Sequence, residues 1–269
     1  MSPPVVDLLR TEWSTLAEVG DSLSDNDWDR GTDLPGWTVR DNLSHIIGTE
    51  LQLLGESPAP LPGDPPAHVK NPIGEMNEAW IQERRGRSGA AVLAEFKDVA
   101  ARRLAALDGF TDAQWDQEMP GPTGIVPYSE FINIRVMDSW VHEQDIRRAV
   151  GRPGNISGPV ADHSLARYEP AMGFVVGKKA GAAEGQSVVF DLTGVQGRTI
   201  AVQVVDGRAQ VSGDSPSEPT VKLTMDAETW WCLSLGRWDG ESVLAQGKVA
   251  IDGDQDLGSA VVTNLAFMI

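Results

Sequence analysis

Asp138 and His142 stand four residues apart in a segment of helical periodicity, so one helical face would present a carboxylate and an imidazole side by side. Placed at about 100° per residue, Phe131, Ile134, Val141 and Ala149 fall on that same side, which is therefore expected to face a core. A carboxylate in an apolar stripe must either protonate or find a partner. Two solutions fit. The pair can satisfy itself as an i,i+4 couple, or it can bind a metal together with a third ligand. His68 lies in a Pro-rich loop and His163 beyond a linker, which leaves His45 as the third candidate. His45, Asp138 and His142 would hold one divalent metal and leave positions open for water or substrate. That is the pattern of catalytic zinc, and equally of a two-histidine, one-carboxylate iron site. Periodicity alone places His45 roughly opposite the Leu43, Ile47 and Leu54 stripe of its own helix, exposed or facing a cleft.

The elements that must position these groups are legible in the spacing. Val5, Leu9, Trp13 and Leu16 predict a first helix, which Gly20 follows where helices commonly stop. In Leu34-Pro-Gly-Trp37, Pro35 and Gly36 suit the centre of a type II turn. Thr38 with Asp41 then makes a capping box for the helix that carries His45. Residues 57–72 read as a long surface loop, and residues 75–85 and 90–107 as the third arm of a bundle. Gly121-Pro-Thr-Gly124 is a turn, Pro127 a plausible first helical residue, and the last long helix ends at Arg147, Arg148 and Gly151. These segments imply a helical bundle.

Beyond Gly151 the texture changes, and Arg152-Pro-Gly-Asn155 is the best linker in the chain. Domains are expected at 1–153 and 154–269. The second half predicts a helix over 160–176, strands over 187–192, 199–205, 208–212, 220–225 and 248–252, and helices over 227–235 and 257–267. Asp206-Gly207 is a strong hairpin turn. The whole is an α+β two-domain chain.

The formal net charge of −17 over 269 residues disfavours a nucleic-acid partner, since a phosphate backbone is bound by basic patches. No apolar run is long enough to span a membrane, and the acidic opening does not suit a signal peptide, so a cytoplasmic location is expected. The one cysteine, Cys232, sits in the apolar segment Trp230-Trp-Cys-Leu-Ser-Leu235 and reads as a buried structural thiol rather than a nucleophile.

Two stretches, Leu34-Pro-Gly-Trp-Thr-Val-Arg-Asp-Asn-Leu-Ser-His45 and Met137-Asp-Ser-Trp-Val-His-Glu-Gln-Asp-Ile-Arg147, resemble the signatures of the mycothiol-dependent maleylpyruvate isomerase family, part of the broader DinB-like metalloproteins. The resemblance implies an N-terminal DinB-like four-helix bundle with metal ligands at His45, Asp138 and His142. Leu235-Gly-Arg-Trp238 and Val249-Ala-Ile-Asp-Gly-Asp254 look like the family's C-terminal domain, which resembles sterol carrier proteins.

It further implies a metal-bound low-molecular-weight thiol, mycothiol, that attacks a small electrophilic substrate by isomerisation or S-transfer, with zinc as the expected metal. The family's isomerase has Glu where this chain has Asp138, and a shorter carboxylate shifts the metal or its denticity. Asp145 would orient a ligand histidine, or pair with Arg148 or Arg85. Arg237 would hold an anionic substrate or the thiol, or offset a helix dipole. Trp140 and Trp37 would line the pocket, although most of the tryptophans read as packing. Two other functions share these ligands: a non-haem iron oxygenase, and a non-catalytic metal-stabilised module that holds an apolar ligand.

Overall fold

The structure is a computed structural model that describes residues 3–121 and 124–268. The chain divides into two compact units, Met1–Asn155 and Ile156–Ile269.

The first unit is helical. Its elements are α1 (Pro4–Ser22), α2 (Val39–Leu53), α3 (Pro72–Gln82), α4 (Gly89–Asp108), the single turn α5 (Asp112–Trp115) and α6 (Tyr128–Val150). The entry to α2 follows the sequence closely. Trp37 N–H donates to the Leu34 carbonyl at 3.1 Å. Gly36 has φ +78, the value that a type II turn demands of its third residue. Thr38 and Asp41 close the capping box reciprocally. Gly151 ends α6 in the left-handed conformation, with its N–H returning to Arg147 and Arg148.

Before α6, β1 (Glu118–Gly121) pairs antiparallel with β2 (Gly124–Pro127), strands that the sequence pattern does not reveal. Pro122 and Thr123, half of the turn expected there, lie outside the described residues.

The expected apolar stripe of α6 is corrected by the packing. Phe131, Ile134 and Ala149 are only half-buried, whereas Ile132, Val136 and Trp140 are fully enclosed on another face. The physical reason is that α6 packs against both α1 and α2. A helix covered on two sides has no single stripe for periodicity to find. Helix α2 is likewise surrounded, by α3, α4 and α6, and is buried almost all round from Val39 to Gly48. His45 is accordingly 7% exposed, which removes the conflict over its helical phase.

The second unit is α+β. It opens with α7 (Pro159–Ala166) and α8 (Met172–Phe174), which continues as a π turn over Val175–Lys179. The single helix expected over 160–176 is thus interrupted, at a short 3-10 turn that includes Pro170, a residue with no N–H to continue a ladder. A five-stranded sheet follows, in the order β5 (Arg208–Ser212), β4 (Arg198–Val205), β3 (Ser187–Thr193), β6 (Val221–Asp226) and β7 (Ala250–Gly253). Only β3 and β6 run parallel.

Asp206 and Gly207 both take positive φ in the β4–β5 turn, as a type I′ hairpin requires. Helix α9 (Ala227–Ser234) is capped by Asp226, α10 (Gly240–Ala245) goes unforeseen in the sequence, and α11 (Gln255–Thr263) closes the unit. Tyr168, Phe190, Trp230 and Trp231 fill the interior. Among the described residues no helix is long and apolar enough to cross a membrane.

Candidate metal centre

Helices α2 and α6 bring His45, Asp138 and His142 together, with one possible ligand atom from each within 4.8 Å of the others. His45 Nε2 lies 3.3 Å from Asp138 Oδ2, and His142 Nε2 lies 3.7 Å from Asp138 Oδ1. Tetrahedral ligands held about 2.0–2.1 Å from a zinc ion stand roughly 3.4 Å apart, and each imidazole lies near that distance from one carboxylate oxygen, His45 from Oδ2 and His142 from Oδ1. Asp138 keeps 26% of its side chain exposed, which opens the cluster on one side, while both imidazoles are nearly enclosed.

Trp37 covers the pair. Its ring centroid lies 5.3 Å from that of His45 and 5.8 Å from that of His142. At the neighbouring Gly36 a Cβ would come within 2.7 Å of the His68 ring, so glycine lets that ring lie against the turn. His68 itself faces Glu78, at 3.3 Å, rather than the three ligands.

The protonation of the cluster suits a cation. Burial is the largest influence on Asp138 and pushes its carboxyl up, but Arg135, His45 and His142 together outweigh it and hold the group well below the usual carboxylate range. Burial dominates His45 in the other direction and lowers its pKa despite Asp138, so the ring is neutral near pH 7. An ionised carboxylate and a neutral imidazole are the forms a metal needs.

The groups behind the ligands are largely ones that sequence reasoning misses. His142 Nδ1 meets Asn42 Oδ1 at 2.8 Å and Asp145 Oδ2 at 3.4 Å. Asn42 is itself oriented, because its amide nitrogen donates to the Thr38 carbonyl at 2.9 Å and to Thr32 Oγ1 at 3.2 Å. Its only sequence signal is its place three residues before His45 in the first signature stretch. Asp145 also accepts from Arg148, so it stands beside both the His142 ring and an arginine. Arg85 pairs instead with Glu78 at 2.6 Å. On the other side, Arg135 Nη1 donates to Asp138 Oδ2 at 2.6 Å and Arg135 Nε to Glu50 Oε1 at 2.7 Å.

The residues of the first unit match the mycothiol maleylpyruvate isomerase N-terminal domain over 9–147, more than half of the chain. The chain belongs to that family. As a member of the mycothiol maleylpyruvate isomerase family it carries a second match over 176–265, to the SCP-2 sterol transfer family. Two solved structures resemble it along almost its whole length, a mycothiol-dependent maleylpyruvate isomerase and a histidine-to-alanine mutant of one. Each has a TM-score of 0.58 at 17% identity and covers 93% of this chain and 92% of the other, a likeness of fold. No curated protein matches the sequence.

Trp140 and Arg237 are the other two residues singled out in this family member. Trp140 is fully buried, and its indole N–H donates to the Asn155 carbonyl at 2.8 Å, so the structure does not bring it to the ligands as a pocket-lining group. Its position two residues from both Asp138 and His142 turns it to the opposite side of α6. Arg237 belongs to the second unit, just past α9, where Nη1 donates to the Leu235 carbonyl at 3.0 Å. That is the contact of an arginine at a helix end. Cys232 is buried within α9, as a structural thiol should be.

Proposed function

We propose that the protein is an enzyme that uses one divalent metal, held by His45, Asp138 and His142, to activate mycothiol for isomerisation or S-transfer on a small electrophilic substrate. The observation that carries this reading is the convergence of the three side chains, from helices about 90 residues apart in sequence, on one partly open point. Membership of the mycothiol maleylpyruvate isomerase family supports the thiol.

The three ligands leave positions open, as catalytic zinc sites do. When bound, the metal supplies a charge that ionises a thiol at neutral pH. Asn42 and Asp145 hold the proton on His142 Nδ1, which points the Nε2 lone pair at the site. Trp37 shields the two imidazoles from water on one face. The shorter arm of Asp138, where the family's isomerase has Glu, is consistent with a substrate other than maleylpyruvate.

The test is elemental analysis of protein from metal-replete cells, followed by turnover assays with mycothiol and maleylpyruvate or other electrophiles. One equivalent of zinc, lost in His45→Ala and His142→Ala, with turnover that requires the thiol, is expected. Absence of stoichiometric metal overturns the centre. Iron with oxygen-dependent and thiol-independent turnover replaces the reading with the oxygenase.

A further inference from the structure

We infer that Arg135 is a positioning residue that restricts Asp138 to offering one oxygen to the metal; the inference rests on the metal centre proposed above. The two carboxylate oxygens of Asp138 are not equivalent. Oδ2 accepts a charge-assisted hydrogen bond from Arg135 Nη1 at 2.6 Å and lies 3.3 Å from His45 Nε2, while Oδ1 faces His142 Nε2 at 3.7 Å and accepts from no arginine among the described residues.

The guanidinium cannot follow the carboxylate if it moves, because it is anchored from behind. Its Nε donates to Glu50 Oε1 at 2.7 Å. The other oxygen of Glu50 accepts from Arg103 Nε at 3.1 Å, and Arg103 in turn contacts the Tyr128 hydroxyl. Arg103, Glu50 and Arg135 are each buried to 4% exposure or less. They form a chain from α4 through α2 to α6 that ends on Asp138.

Among the described residues, Arg135 Nη2 is buried and has no hydrogen-bond partner. If Asp138 turned both oxygens onto a metal, Oδ2 would share its lone pairs between Nη1 and the ion, and the 2.6 Å hydrogen bond would weaken. Weakening it beside a donor that is already unmet is costly for a buried cation, so the single-oxygen arrangement is favoured. A permanent cation beside a dication repels it, and Glu50, which it shares with Arg103, offsets that charge in part. Arginine alone suits this task, because lysine has no fork with which to bridge Glu50 and Asp138 together.

The experiment compares the full-length protein with Arg135→Gln and Arg135→Lys, each reconstituted with Co²⁺. Zinc affinity is measured by chelator competition, and the visible cobalt bands report coordination number. For Arg135→Gln we expect affinity to fall by about 10–100-fold and the cobalt bands to weaken as the carboxylate becomes bidentate, with partial recovery of both in Arg135→Lys. Unchanged bands and unchanged affinity in both variants overturn the inference. A wild-type protein that binds no cobalt overturns the metal centre itself, a different failure. If Arg135→Gln fails to fold, the double variant Glu50→Gln, Arg135→Gln removes one buried anion and one buried cation together, leaves an amide oxygen at position 50 to accept from Arg103, and is read by the same two measurements.

Discussion

Asn42 Oδ1 and His142 Nδ1 are joined at 2.8 Å across 100 residues of sequence, and this contact decides which imidazole nitrogen faces the candidate metal. The amide nitrogen of Asn42 is occupied by the Thr38 carbonyl and Thr32 Oγ1, so its oxygen must face the ring and Nδ1 must carry the proton. Asn42→Ala should therefore weaken zinc by about 10-fold, the low end of the usual range for such partners, since Asp145 at 3.4 Å keeps part of the role. Chelator competition measures it. Unaltered affinity would show that Asn42 does not orient the ring.

Asp138→Asn separates a ligand from a salt-bridge partner. An amide carries no charge to offset the cation, so metal affinity should drop by at least about 100-fold, or roughly 3 kcal/mol. Folding stability of the metal-free protein should change by only about 1 kcal/mol, because the amide oxygen can still accept from Arg135. Metal content and thermal unfolding of the one variant check both halves. Full metal occupancy with lost stability would make Asp138 a mere partner of His142 and Arg135.

Glu12→Gln should stabilise the protein near neutral pH. Burial, and next the neighbouring charge of Glu143, raise the Glu12 carboxyl well above its ordinary 4.5. A raised acid contributes stability that is fully present below the unfolded value and is lost as pH rises through the folded one. Wild-type stability should therefore fall relative to the variant from about pH 4.5 upward, and the two should converge below it. Gln retains an oxygen for the Asn155 amide that Glu12 now accepts at 3.0 Å. Denaturant unfolding at several pH values tests this; a constant difference between the two proteins would contradict it.

Gly48→Ala should destabilise the first unit by about 1–3 kcal/mol through overpacking. An added Cβ would lie 2.4 Å from Trp80 Cβ, an atom bonded directly to the α3 backbone that cannot swing aside. The change should also loosen metal binding modestly, since His45 lies one turn earlier on α2. Equilibrium unfolding measures the loss, and a wild-type midpoint would show that α3 moves freely to accept the methyl group.

What the sequence by itself determined were local features, in which a few adjacent residues settle the backbone. Pro35 and Gly36 set the turn, Thr38 and Asp41 start α2, Gly151 ends α6, and Asp206-Gly207 makes the β4–β5 hairpin. The four-residue spacing of Asp138 and His142 likewise put both on one side of α6 before any packing was known.

Only the tertiary structure decided which side of α6 meets the core, and that His45 turns inward. Both α2 and α6 are covered on more than one side, and an apolar stripe is readable only when one face of a helix meets water. The contacts that orient the site, Asn42 to His142, Glu50 to Arg135 and Arg103 to Glu50, span 100, 85 and 53 residues. Their polar residue types read as solvated surface in a sequence, because a hydrogen-bonding side chain becomes a buried, position-setting group only once a distant partner satisfies it.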